Sequence, residues 1–264
     1  FSEELDAPKL VQLLNEYLGP LTDILTYNGG TLDKYIGDAV VAMFGAPLPY
    51  EDHALRACLT AIEMQKKQAE LREKWKKDGD WPKVVPRMQT RIGLNTGEAV
   101  IGNMGSPRRF NYTMMGDSVN LAARCESGAK SFGVYTMVTE MTHDHARKTS
   151  PDQIAFRFLQ KLIVKGRSEP AGMYEIVGLK SELPQETADC LGLFEAGMEK
   201  YLARDFDAAR AKFQQSAERE AFQPGDSSLD IETNPSLVMI ERCREMAIAP
   251  PAEDWDGVYV MKTK

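Results

Sequence analysis

The sequence predicts an α+β domain with a mostly antiparallel sheet, the ferredoxin-like arrangement, followed by a small C-terminal α-helical appendage. Three observations lead there. Stretches with apolar residues at helical spacing alternate with short β-patterned runs as far as Gly178. One Gly-Asp pair joins two such runs at the spacing of a tight hairpin. Beyond Gly178 the strand pattern stops and helical stripes take over. The boundaries are therefore 1–178 for the α+β domain and 179–264 for the helical appendage and tail, in a chain whose 264 residues suit one large or two modest domains.

Taken in order, Leu10, Leu13, Leu14, Tyr17, Leu18, Leu21, Ile24 and Leu25 recur at helical spacing. Pro20 should kink that helix or start a new first turn, and Asn28-Gly29-Gly30 should stop it. Thr31 to Ile36 alternates polar and apolar, and Ala39 to Phe44 is a continuous apolar run, as for a strand buried on both faces. Between them Gly37 can take the positive φ that a two-residue turn needs, and Asp38 tolerates it. Alone, that pair is an ordinary turn or a carboxylate suited to a divalent metal. Glu51 to about Trp75 is a second amphipathic helix, with Leu55, Cys58, Ile62, Met64 and Leu71 on or near one face and a polar loop, Lys76 to Asp80, behind it. A strand pair starts near Met88. Arg91 to Val100 reads as strand, glycine turn and strand start, Gly105 to Arg109 as a turn, and Tyr112 to Met115 as a short strand. Asp117 to Ser127 begins a helix that places Asn120 and Arg124 one turn apart on one face. Val134 to Thr139, Phe156 to Val164 and a last strand, Met173 to Val177, complete the sheet.

In the appendage, Leu191, Phe194, Met198 and Tyr201 form one stripe, and Ala208, Ala209, Phe213 and Ala217 form another. The turn between them, Ala203 to Asp207, resembles the middle of a tetratricopeptide repeat. A polar loop, Phe222 to Pro235, precedes a final helix, Ser236 to Met246. This segment is expected to cap the domain or to contact another protein.

The net charge of -7 argues against a general nucleic-acid binder, and no apolar run approaches the roughly 20 residues of a membrane span. Cys58, Cys125, Cys190 and Cys243 are far apart with no metal-ligand spacing, as for thiols in a reducing compartment. His143, Asp144 and His145 are expected to be solvated. The opening residue, Phe1, suggests a fragment of something longer.

Four motifs resemble the class III nucleotidyl cyclases, the adenylate and guanylate cyclases. They are Asp33-Lys34-Tyr35-Ile36-Gly37-Asp38, Arg91 to Gly97, Tyr112 to Arg124, and Val164-Lys165-Gly166, in the family's order across residues 1 to 178. The resemblance implies the nucleotidyl cyclase fold and conversion of ATP to 3′,5′-cyclic AMP and pyrophosphate, with two Mg²⁺ or Mn²⁺ ions held by two aspartates. Asp38 matches the second of these. The first precedes the family's Phe-Ser/Thr pair by four residues; here that pair is Phe1-Ser2, so this aspartate and its strand are expected upstream.

By the same resemblance Lys34 and Thr113 read the base. The lysine donates to a ring nitrogen and the threonine oxygen accepts from the exocyclic amine, a pattern for adenine. Guanylate cyclases carry glutamate and usually cysteine at these places. Asn120 matches the residue that positions the ribose, Arg124 the one that stabilises the pentavalent transition state, and Lys165 the one that grips the terminal phosphates. The family's sites form between two protomers, implying a homodimer in signal transduction, with threonine at position 113 marking the subgroup in which bicarbonate stimulation occurs. A cytoplasmic location follows, with any membrane anchor upstream. Two readings compete with the enzyme: a catalytically silent, nucleotide-binding or dimerising regulator, and a protein-docking module with the cyclase fold as passenger.

Overall fold

The computed structural model describes residues 4–163, 170–224 and 232–260. The chain opens on α1 (Ala7–Tyr27), whose first turn is held by the Asp6 carboxylate accepting from Lys9 N–H at 2.9 Å. The helix continues through Pro20 as one element, so no new first turn starts there. Its buried stripe, Leu13, Tyr17 and Leu21, packs on Leu71, Trp75 and Val85.

A hairpin follows, β1 (Thr31–Ile36) and β2 (Ala39–Met43). Gly37 has φ 63° while Asp38 is not among the positive-φ residues, as in a turn with a left-handed first central position. The β2 strand is not buried on both faces as its apolar run suggested: Ala39 is exposed, Val40 to Ala42 are half-buried, and only Met43 is enclosed. Its composition fits a covered strand, but among the described residues no strand pairs with it other than β1.

The next helix, α2 (His53–Asp78), runs past Trp75 into the lysine-rich segment expected to be a loop. Gly79, in the left-handed region at φ 69°, ends it. Then come β3 (Ile92–Leu94), a second ribbon of β4 (Val100–Ser106) and β5 (Arg109–Met115), and α3 (Asp117–Ala129). The strand β6 (Thr136–Thr139) leads into α4 (Glu140–Thr149), a helix absent from the sequence reading. It overturns the solvated assignment of its histidines in part: His143 is only 8% exposed and stacks on Tyr174 with ring centroids 4.0 Å apart. A histidine on the inner face of a short polar helix looks like surface until the strand beneath it is known.

The long antiparallel pair β7 (Ile154–Ile163) and β8 (Ala171–Leu179) follows, then α5 (Gln185–Leu202), α6 (Phe206–Ala217) and α7 (Pro235–Ile248). The expectation that the strand before Gly178 is the last does not hold. The tail forms β9 (Val258–Val260), which pairs in parallel with Lys161–Ile163 of β7. The main sheet runs β3-β6-β8-β7-β9; both pairings of β8 are antiparallel, whereas β3–β6 and β7–β9 are parallel. The result is an α+β fold with a mixed sheet and two separate antiparallel ribbons.

Two close contacts fix this frame. At Gly93 of β3 an added Cβ would lie 2.2 Å from the Ala122 carbonyl oxygen and 2.2 Å from the Glu126 nitrogen, so strand and helix backbones touch directly. In the same row of paired residues, which runs from Gly93 through Met137 and Glu175, Arg157 of β7 is buried between two carboxylates. It donates to Glu175 of β8 at 2.7 Å and to Glu220, just beyond α6, at 2.6 Å. Glu220 also accepts from the Ser236 backbone at 3.2 Å and hydroxyl at 2.6 Å. Burial acts to lower the Arg157 pKa, but the two carboxylates outweigh it and raise it. Burial raises Glu175, because one guanidinium cannot neutralise two buried carboxylates. The aromatic tail adds to the join: Arg242 of α7 lies over the Tyr259 ring of β9 at 4.1 Å and over Phe132 at 4.8 Å.

Three outcomes follow for stability. Gly93→Ala should destabilise the protein by about 1–3 kcal/mol in urea titrations, since backbone must move; an unchanged midpoint would remove the close-contact argument. Glu220→Ala should cost about 1–3 kcal/mol by leaving the buried Ser236 amide and hydroxyl and one Arg157 N–H without their acceptor, while Arg157 keeps Glu175, whereas a loss near zero would mean that solvent replaces the carboxylate. Burial lowers the pKa of His143, and burial with the neighbouring His145 charge lowers that of His53. Both groups bind protons more readily when unfolded, so stability should fall as pH drops below about 6.5. His143→Phe should flatten that fall, read from urea midpoints at neutral and mildly acid pH.

Candidate active site

The chemistry-bearing residues gather where the hairpin β1–β2 approaches the ribbon β4–β5. A register shift between Leu32 and Lys34 makes Asp33 an extra residue in β1, a bulge that breaks the alternation of side chains. Its effect is that consecutive residues, Asp33 and Lys34, both reach Thr113 on β5. Lys34 Nζ donates to Thr113 Oγ1 at 2.9 Å, and the Thr113 hydroxyl donates to Asp33 Oδ2 at 2.8 Å. Lys34 Nζ and Asp33 Oδ2 are 3.4 Å apart; the Asp33 side chain is 1% exposed and that of Lys34 is 42% exposed. The two base-reading candidates, 79 positions apart in sequence, are thus in direct contact.

Asp38 stands at the tip of the hairpin, exposed, within electrostatic reach of the Tyr17 phenol on α1. Its hard carboxylate oxygens suit Mg²⁺ or Mn²⁺. Among the described residues no cluster of three or more His, Cys, Asp or Glu side chains is arranged to hold a metal, so Asp38 offers part of a coordination set.

Asn120 and Arg124 lie on α3 one turn apart as expected, Asn120 exposed and Arg124 half-buried. One guanidinium nitrogen, Arg124 Nη1, is buried without a hydrogen-bond partner among the described residues. No hydrogen bond joins Asn120 or Arg124 to Lys34 or Thr113 among the described residues, although α3 follows directly on the strand that carries Thr113. The Arg91–Gly97 motif anchors α3: Asn95 Nδ2 donates to the Ser118 carbonyl at 2.9 Å, and Asn95 Oδ1 accepts from Thr139 of β6 at 2.7 Å. Lys165 and the Phe1-Ser2 pair lie outside the described residues.

Sequence reasoning missed Asp33 as a site residue, although it stood in the quoted motif. Two adjacent charges, Asp33-Lys34, inside an alternating strand were the available sign of a bulge.

Residues 1–178 match the family described as the adenylate and guanylate cyclase catalytic domain. The chain is 32% identical over 178 residues to adenylate cyclase 1 of Rhizobium meliloti (strain 1021), a match that covers 67% of this chain and 25% of that protein. It spans from 11% to 34% of the length of the first curated relatives it matches. Among solved structures it is similar to the adenylyl cyclase CyaB from P. aeruginosa, with a TM-score of 0.59 and 34% identity over 69% of this chain and 89% of that one. The guanylyl cyclase Cya2 gives a TM-score of 0.56 and 33% identity over 67% of this chain and 85% of that one. Motif order, site geometry and these likenesses agree: the chain belongs to the adenylate and guanylate cyclase catalytic domain family.

Proposed function

We propose that this protein is an adenylate cyclase that forms 3′,5′-cyclic AMP and pyrophosphate from ATP at sites shared between two copies of the chain. The observation that carries the reading is the Lys34–Thr113 contact. Lysine is a donor only, and the threonine oxygen keeps an acceptor position, so together they match the ring nitrogen and exocyclic amine of adenine. Guanine presents the reverse pattern and would leave buried polar groups unpaired, so discrimination should be sharp. The related proteins include cyclases named for either base, which makes this pair the deciding feature.

In the reaction Asn120 orients the ribose, and Arg124 forks onto phosphate oxygens as charge moves from the α-phosphate towards the leaving pyrophosphate. The partnerless Arg124 Nη1 is consistent with a group awaiting an anion. Lys165 contacts the terminal phosphates. Asp38 would supply one carboxylate of a set that holds divalent ions. Those ions acidify the 3′-hydroxyl and neutralise the triphosphate when bound.

One observation supports a site with the metal carboxylate from one copy and the Lys34, Thr113, Asn120 and Arg124 set from the other: the hairpin and ribbon expose Ile36 (62%), Val100 (68%), Phe110 (62%) and Met115 (60%), apolar side chains that a second copy would cover. We assign the chain to the threonine subgroup on Thr113, and the helices after Gly178 to a tetratricopeptide-like segment that contacts another protein.

The test is turnover by the full-length protein offered ATP and GTP separately with Mn²⁺, with products separated by chromatography. Cyclic AMP in large excess over cyclic GTP is expected; no cyclic product from a folded dimer would favour the silent regulator. The double change Lys34→Glu with Thr113→Cys should reduce the ATP:GTP ratio of kcat/KM by roughly a hundredfold or more, the scale of a reversed hydrogen-bond pattern. A ratio that stays put would separate base choice from these residues.

A further inference from the structure

The geometry points to Asp33 as a specificity-determining positioning residue, which sets the Thr113 hydroxyl as an acceptor towards the base and so enforces adenine over guanine. The inference rests on the reading of Lys34 and Thr113 as the base-reading pair and extends it to a residue that need not touch nucleotide.

A hydroxyl has one proton to donate and two acceptor positions. At Thr113 the proton is committed to Asp33 Oδ2 at 2.8 Å, and one acceptor position is filled by Lys34 Nζ at 2.9 Å. A carboxylate can only accept, so the direction of the first bond is fixed. What remains on Thr113 is a single lone pair, able to meet an amine N–H and unable to donate to a carbonyl oxygen. Adenine carries the amine at that edge and guanine the carbonyl. Without Asp33 the hydroxyl proton could rotate to the base and meet the guanine carbonyl, leaving Lys34 alone to discriminate. Threonine is ambiguous by itself, and its neighbour removes the ambiguity.

The placement of Asp33 argues that it is held for this purpose. Its side chain is 1% exposed, and its second oxygen, Oδ1, is buried with no hydrogen-bond partner among the described residues. Burying a carboxylate on such terms is destabilising. The β-bulge that swings Asp33 to the Thr113 side also interrupts the β1–β2 ladder. Both costs would vanish with an apolar residue in regular register.

The test uses the full-length protein and 3′-deoxy-ATP and 3′-deoxy-GTP, which lack the attacking hydroxyl and so report binding without turnover. Wild type should bind the adenine analogue more tightly. Asp33→Ala should lower the adenine:guanine affinity ratio by roughly tenfold or more, the size of one misdirected hydrogen bond. Asp33→Leu, which keeps the branched skeleton without its oxygens, should do the same if the alanine variant does not fold. Asp33→Asn should retain most of the preference, because its amide oxygen can stay facing the two donors. In a Thr113→Val background Asp33→Ala should leave the ratio where the valine has put it. A ratio unaffected by Asp33→Ala, with both affinities falling together, would overturn the inference and leave the base-reading pair standing. A wild-type protein that binds both analogues equally would overturn both.

Discussion

The hydrogen-bonded chain from Asp33 through Thr113 to Lys34 is the join on which the site depends. It ties the hairpin β1–β2 to the ribbon β4–β5, two units that share no backbone ladder among the described residues. An isolated two-stranded ribbon is marginal in water, so each must borrow order from elsewhere. The hairpin takes it from α1, where Tyr35 meets Thr22 through their hydroxyls at 2.7 Å, and the ribbon from α3, which follows it directly. The polar join between them is where binding selectivity can be written without disturbing the apolar cores.

Behind the ribbons the frame is rigid for a different reason. Gly93 brings β3 onto the backbone of α3, and Asn95 bridges α3 to β6, so Asn120 and Arg124 ride on a helix fixed at its first turns. The C-terminal helices are likewise joined to the sheet. Phe158 of β7 packs against their core, Val238 of α7 packs against the core beneath α3, and the Arg157 cluster closes the gap with charge. A change at the helices would therefore be felt at β7 and β8, through groups that are costly to unpair.

Local pattern made much of this legible. The Gly37 turn, the helix that carries Asn120 and Arg124, and the switch to helices after Gly178 each follow from a few consecutive residues. Lys34 and Thr113 were found through motifs, and their mutual contact was not visible in the sequence because 79 positions separate them. The same limit hid Asp33, whose meaning comes from a bulge, and the Arg157–Glu175–Glu220 cluster, whose members are scattered along the chain. Two misjudgements have the opposite cause. The apolar β2 run suggested full burial although its face is half open here, and the polar stretch His143–His145 suggested solvent although His143 is buried against Tyr174. In both, composition stood in for the neighbour that decides burial. The tail strand β9 escaped for want of length, since three residues carry too little periodicity.

In the proposed enzyme a base pocket in one copy works with a metal carboxylate in the other. A crystal structure of the full-length protein with a non-cyclisable ATP analogue and Mn²⁺ tests that claim most directly. The adenine edge is expected against Lys34 Nζ and Thr113 Oγ1 of one copy, with the triphosphate and its metal on Asp38 of the other. A base lodged away from Lys34 and Thr113, or nucleotide and metal held wholly within one copy, would contradict it.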